Sequence, residues 1–183
     1  MIGLKKSQVL GTLGDNRGFL TCSMHVAKKW NKYETIIPYQ RYECAAEHVK
    51  KGKIHCFLVP GAYPGINDFI MDAGLLAIDT FIEQIPSLVY VEKKGRSENI
   101  GVDKLYLHPA TDKLSREINT TFCSIDRIYV NSNIEACEFL IENNNSSAIT
   151  NELCANYFNL HIKKILRASI KMPWVCFSKA HLQ

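Results

Sequence analysis

An alternation repeated along the whole chain is what most constrains its fold: a short apolar run, a turn rich in Gly, Pro, Ser, Thr or Asn, then a stretch with helical spacing. Residues 9–13, 35–37 and 54–59 have the length and composition of buried strands. Between them, a helix running to Trp30 places Met24, Ala27 and Trp30 on one face, and residues 42–51 place Ala45, Ala46 and Val49 on another. Strands separated in this way predict β-α-β-α-β units, hence parallel strands joined by right-handed crossovers. The third run empties into Pro60-Gly61-Ala62-Tyr63-Pro64-Gly65, and helical spacing resumes after it. Open α/β sheets bind ligands at the carboxyl ends of their strands, where helix N-termini present N–H groups. The turn at 60–65 is therefore the first place to look for a site.

A second series echoes the first. Residues 75–85 are expected to be extended, Pro86 interrupts them, residues 88–91 form a further strand, and 93–99 form a polar loop. Leu105 and Leu107 then mark a strand, 109–118 a helix opened by proline, 128–130 a strand and 134–141 a helix. A strand at 148–150, a helix from 151 to 157, and extended segments at 161–165 and 174–177 complete the pattern. At 183 residues the chain is long enough for one domain or two small lobes with a real core. Two α/β lobes joined near residues 78–92, with a cleft between them, are expected.

Composition removes several classes. Hydrophobic residues at 46% and charged residues at 22% are ordinary for a globular protein. No apolar run approaches the ~20 residues that span a bilayer, and residues 1–6 carry charge without an apolar signal core, so a cytoplasmic chain without a membrane is expected. The seven cysteines are scattered and never spaced C-x-x-C, which is neither a zinc pattern nor a disulfide framework. His48 and His55-Cys56 lack ligand spacing, so no metal is expected. Net charge is only +4, without the basic stripe of a nucleic-acid binder. The densest positive run, Lys163, Lys164, Arg167 and Lys171, reads either as a solvated face or as an attraction for small anions. Phosphate-binding Gly-rich loops and the nucleophile elbow are missing from the sequence.

Each strand-to-helix turn carries groups able to hold an anion: Thr21 and Ser23, Tyr63 and Asn67, His108 and Thr111, Ser132 and Asn133, Thr150 and Asn151. Any one of these is well explained as a helix cap. Five such turns, gathered by parallel strands to one edge of each lobe, predict a polar ligand in the cleft. His108 ends a strand and precedes Pro109, where a helix N-terminus favours neutral imidazole that still donates one hydrogen bond. A purely structural capping histidine stays equally open. Spacing leads to a two-lobed α/β protein for a small anion and names no reaction.

A family resemblance goes further. Thr12-Leu13-Gly14 with Gly18 and Val26-Ala27 resembles the Gly-rich first loop of the prephenate dehydratase catalytic domain, Leu107-His108-Pro109 its Ser-His-Pro segment, and Asn131-Ser132-Asn133 its second-lobe turn. Where dehydratases carry Val-Glu-Asn-Ser, this chain has Val59-Pro60-Gly61-Ala62-Tyr63-Pro64-Gly65-Ile66, similar to the prephenate decarboxylases of the bacilysin type. Ala148 to Leu153 and Met172-Pro173-Trp174-Val175-Cys176-Phe177 resemble the same family. The dehydratase Thr-Arg-Phe motif aligns with Val175-Cys176-Phe177, so its hydroxyl and guanidinium are replaced. Asp15-Asn16-Arg17 also departs from the family's first loop.

The resemblance implies an α/β fold of two small three-layer lobes, periplasmic-binding-protein type II-like, as in the prephenate dehydratase catalytic domain. Residues 1–86 with 166–183 would form one lobe and 87–165 the other, with no regulatory domain expected. It implies a carbon–carbon lyase that decarboxylates prephenate without aromatising it and without a cofactor, in biosynthesis of a non-proteinogenic amino acid or peptide natural product. Tyr63 and His108 would orient the ring and are the candidate proton donors. Thr21, Ser23, Ser132 and Asn133 would grip carboxylates; Asn67, Thr150 and Asn151 would add polar contacts, and Met172 and Trp174 apolar lining. A homodimer is implied, since dehydratase-type domains usually pair. A non-catalytic small-anion binder on this scaffold and a residual dehydratase are the alternatives.

Overall fold

The computed structural model describes residues 8–97, 101–118, 125–168 and 170–180. Cys123 and parts of the 93–99 loop and the 1–6 segment read from the sequence lie outside them. The chain divides into two compact units, residues 1–85 with 171–183 and residues 86–170, so the returning segment rejoins the first unit at Lys171.

In the first unit, β1 (Val9–Leu13), α1 (Cys22–Trp30), β2 (Thr35–Tyr39), α2 (Tyr42–Lys50), β3 (Cys56–Pro60), α3 (Ile66–Met71) and β4 (Leu75–Ile85) follow in order. The last strand of the chain, β10 (Ile170–Lys179), returns to this unit and gives a sheet of order β2-β1-β3-β10-β4. β1 is parallel to β2 and to β3, whereas β10 runs antiparallel to β3 with Trp174 opposite Pro60 and Phe177 opposite Phe57. The expectation of parallel pairing holds for the βαβ units and fails at β10. That strand enters from the other unit rather than through a crossover helix, so nothing imposes the parallel direction on it. One face buries Phe57, Val59 and Phe177 beneath Tyr42, Ala45, Ala46 and Val49 of α2 and Phe69 of α3. Strand alternation turns Leu10 and Thr12 the opposite way, toward α1, whose Met24, Val26 and Ala27 are buried.

The second unit holds β5 (Leu88–Glu92), β6 (Lys104–Leu107), α4 (Asp112–Ser115), β7 (Asp126–Tyr129), α5 (Asn133–Glu142), β8 (Ser146–Asn151), α6 (Glu152–Tyr157) and β9 (His161–Arg167). Its order is β7-β6-β8-β5-β9, with β6 parallel to β7 and β8, and β5 antiparallel to β8 and β9. Leu88, Tyr90, Leu105, Leu107 and Ile149 pack with Leu114 on one face, while α5 and α6 pack on β8 from the other. The helix expected over 109–118 contracts to a 3-10 turn, Pro109–Thr111, and the single turn α4. Proline starts that segment well, but only Leu114 and Ser115 of α4 are buried, too little apolar surface to hold further turns. The basic run lies mostly on exposed positions of β9, where Arg167 pairs with Glu117 at 2.7 Å and Lys164 donates to the Glu117 carbonyl at 2.6 Å. The solvated face describes it best.

Candidate functional site

The turn after β3 is shaped by two close approaches. Gly61 donates its N–H to the Pro173 carbonyl at 2.7 Å, and a Cβ at Gly61 would sit 2.7 Å from the Pro173 ring. A Cβ at Gly65 would fall 2.8 Å from Cε1 of Tyr63, so glycine lets that ring fold back over its own turn. The ring meets Tyr42 edge-on at 4.7 Å and lies parallel to Phe69 at 6.0 Å. Its hydroxyl donates to the Glu43 carboxylate, in the first turn of α2, which Arg41 Nε also reaches at 3.3 Å. Burial, then the hydrogen bond and charge of Glu43, push the Tyr63 phenol up to about 12. Burial opposes ionisation of Glu43, yet hydrogen bonds from Tyr63, its own backbone and Arg41 together hold its carboxyl below the usual range. Deprotonating Tyr63 would set a phenolate against that carboxylate. This geometry suits Tyr63 as a positioned ring with an oxygen acceptor better than as an acid.

The other first-unit positions are mostly engaged locally. Thr21 caps α1, accepting the Met24 N–H at 3.1 Å while donating to the Leu13 carbonyl at 2.8 Å, which ties the helix start to the end of β1. Ser23 shares a 2.6 Å hydrogen bond with the buried Tyr42 hydroxyl, so Tyr42 links the start of α1 to the Tyr63 ring. Asn67 is exposed on α3 and Met172 is half-buried on β10. Trp174 is fully buried and its indole N–H has no hydrogen-bond partner among the described residues. Val175 packs half-buried against the α2 core, and Cys176 is buried with its sulfur 3.9 Å from the Tyr33 hydroxyl. No hydroxyl or guanidinium stands at these two positions.

In the second unit, His108 follows β6 and caps the 3-10 turn, its Nδ1 accepting the Ala110 N–H at 3.1 Å. That bond assigns the proton of the neutral ring to Nε2. Burial lowers the His108 pKa, so the neutral form prevails at pH 7. Thr111 is tied to the His108 carbonyl at 2.8 Å. Ser132 caps α5 by accepting the Glu135 N–H at 3.1 Å, and Glu135 reaches back to the Asn131 N–H at 2.6 Å, a reciprocal arrangement close to a capping box. Asn133 begins α5, and Thr150 donates to its carbonyl at 3.0 Å while accepting from Cys137 Sγ at 3.3 Å. Asn151 is fully buried and caps α6 through Cys154 N–H at 2.9 Å.

The structure thus links Ser23 to Tyr63 through Tyr42 in one unit, with Thr21 capping the same helix start, and groups Ser132, Asn133 and Thr150 at the start of α5 in the other. Sequence reading missed Glu43 and Tyr42. The periodicity marks Glu43 only as an exposed residue in a helix's first turn, and nothing local ties it to a tyrosine twenty residues on. Among the described residues no cluster of three or more His, Cys, Asp or Glu is arranged to hold a metal ion. No helix among them is long and apolar enough to cross a membrane.

The fold has known relatives. Prephenate dehydratase from Arthrobacter aurescens, solved in complex with L-Phe, matches with a TM-score of 0.68 at 17% identity, over 95% of this chain and 61% of that one. A quorum-quenching acylase matches with a TM-score of 0.67 at 16% identity, over 96% of this chain and 66% of that one. The chain therefore spans less than two thirds of either protein. At such identities the likeness defines the fold: the two-unit α/β arrangement of the prephenate dehydratase catalytic domain, shared with periplasmic-binding-type domains. Within that class the sequence itself is similar to the Bacillus subtilis protein named prephenate decarboxylase, with 26% identity over 190 residues, 98% of this chain and 90% of that protein. No protein-family model matches the chain.

Proposed function

We propose that the protein is a carbon–carbon lyase that decarboxylates prephenate without aromatising its ring and without a cofactor. The near full-length likeness to a protein named prephenate decarboxylase carries this reading. It is supported by Val175 and Cys176 standing where dehydratases have Thr and Arg, which leaves no acid there to expel the ring hydroxyl. In the proposed reaction the bond from the ring to its carboxylate breaks and carbon dioxide leaves. The electron pair forms a double bond to the adjacent carbon of one ring alkene, and that alkene's own pair takes up a proton, supplied by the medium, at its far carbon. The hydroxyl stays and the product is a dihydro-4-hydroxyphenylpyruvate, a precursor suited to a non-proteinogenic amino acid or peptide natural product.

The protein's share is to hold the pyruvyl carboxylate and to desolvate the carboxylate that leaves. Helix starts at Thr21 with Ser23 and at Ser132 with Asn133 are the proposed carboxylate contacts, helped by Asn67, Thr150 and Asn151, with Met172 and Trp174 as apolar neighbours. His108, neutral with its proton on Nε2, is the proposed hydrogen-bond donor to the substrate, and Tyr63 the contact that orients the ring. A small-anion binder without chemistry is the competing reading. Incubation with prephenate, followed by ultraviolet spectroscopy, separates them. Loss of substrate without the phenylpyruvate absorbance supports the lyase; stabilisation by prephenate with no turnover identifies the binder.

A further inference from the structure

A carboxylate substrate calls for a counter-charge, and the turns that lead from parallel strands into helices hold few. These turns are residues 14–21, 40–41 and 61–65 in the first unit, and 108–111 and 130–132 in the second. Arg17 and Arg41 are the only lysines or arginines in them, and His108 is neutral at pH 7. Thr21, Ser23, Ser132 and Asn133 bring hydrogen-bonding groups without charge. An arginine of the first unit is therefore the natural partner of an anion held at these turns.

The two arginines are held differently. Arg17 is closed onto Asp15, whose Oδ2 takes Nε at 2.6 Å and Nη2 at 2.5 Å while Oδ1 takes the Arg17 N–H at 3.0 Å. A guanidinium with a carboxylate of its own has little charge left to offer a ligand. Arg41 makes one side-chain hydrogen bond, Nε to Glu43 at 3.3 Å, and 71% of its side chain is exposed. Its two Nη groups meet no acceptor among the described residues. Glu43 is moreover shared, since its other oxygen takes the Tyr63 hydroxyl, so Arg41 lies one carboxylate away from the Tyr63 ring. Arg41 is the N-cap residue of α2 yet its side chain caps nothing, unlike Thr21 at α1 and Ser132 at α5. The next residue, Tyr42, shares its hydroxyl with Ser23, which joins the starts of α1 and α2.

We propose that Arg41 is the specificity-determining cation of the site, its Nη1 and Nη2 donating to the two oxygens of the substrate's pyruvyl carboxylate. The choice between the two carboxylates of prephenate follows from the reaction. A cation on the leaving carboxylate stabilises the ground state while uncharged carbon dioxide departs, and so slows the step. The pyruvyl carboxylate keeps its charge throughout, so an arginine there strengthens binding without raising the barrier. A planar guanidinium matches a carboxylate in two parallel hydrogen bonds, which a lysine ammonium does not reproduce. The assignment takes its substrate from the lyase reading, but its test requires no turnover.

Phenylpyruvate, which carries the side-chain carboxylate and lacks the ring carboxylate, is the probe. Isothermal titration calorimetry should show it binding to wild type, ~10-fold or more weaker to Arg41→Gln, and between the two to Arg41→Lys. Arg17→Gln, whose guanidinium is already closed onto Asp15, should bind like wild type. With prephenate, Arg41→Gln should raise KM by a similar factor and keep kcat. Its urea midpoint should match wild type, because an exposed side chain with one 3.3 Å bond adds little to the fold. Unchanged phenylpyruvate affinity in Arg41→Gln overturns the proposal. So does a fall in kcat at constant KM, an equal loss in Arg17→Gln, or a wild type that does not bind the probe. Phenylpyruvate bound through Arg41 by a protein that leaves prephenate unchanged keeps the assignment and removes the lyase reading.

Discussion

The Tyr63 turn and the His108 turn look alike in sequence, each a polar ring at the end of a strand beside proline, yet the structure sets their protons in opposite ways. The Tyr63 hydroxyl is held by Glu43, and its phenol is raised to about 12. The His108 ring receives a backbone N–H at Nδ1, which leaves Nε2–H as its donor, and burial keeps it neutral. What separates them is the neighbour supplied by tertiary structure: a carboxylate from α2 in one case, a backbone amide two residues away in the other. A ring at a strand end is thus not by itself an acid, and its partner decides what it can do.

Substitution at His108 is expected to have the largest effect. His108→Asn should lower kcat/KM for prephenate by ~10-fold or more, since it removes the proposed donor. Tyr63→Phe should lower it by only about 3-fold, because the hydroxyl proton is already engaged in a hydrogen bond to the Glu43 carboxylate and the ring contacts with Tyr42 and Phe69 persist. Steady-state kinetics of the two variants rank the turns, and a larger loss for Tyr63→Phe would reverse the comparison.

Acidity provides a second handle. Burial lowers the His108 pKa, and protonation at Nδ1 would displace the Ala110 N–H that orients the ring, so an acid limb of wild-type kcat/KM that comes from this ring should lie below the ordinary histidine value of 6.5. His108→Asn should lack that acid limb. Glu43→Gln acts on the other turn alone: without the carboxylate the Tyr63 phenol should titrate below its present value of about 12, followed by ultraviolet difference spectroscopy, with little change in rate.

The smallest expected effects concern the caps. Thr21→Ala removes a buried cap that also ties α1 to β1, and should destabilise the fold by about 1–2 kcal/mol in urea unfolding. Ser132→Ala, at a less buried cap, should cost about 0.5–1 kcal/mol.

Periodicity located nearly every element, because strands and helices here are separated by strong Gly, Pro and Asn turns. Val9–Leu13 and Tyr42–Lys50 match their expected bounds to within a residue. It could not reveal that β10 enters its sheet antiparallel: direction depends on where a chain comes from, not on its composition. In the site, Thr21 and Ser132 were legible as both caps and candidate ligands, since capping chemistry is local. The Glu43–Tyr63 bond and the Ser23–Tyr42 bond were not, because the first joins α2 to the turn after β3 and the second joins α1 to α2, elements brought together only by packing.

Mass analysis of the product formed from prephenate tests the central claim most directly. A product that has lost carbon dioxide alone, its ring hydroxyl retained, is the predicted result. Loss of both carbon dioxide and water, giving phenylpyruvate, or prephenate recovered unchanged, would contradict it.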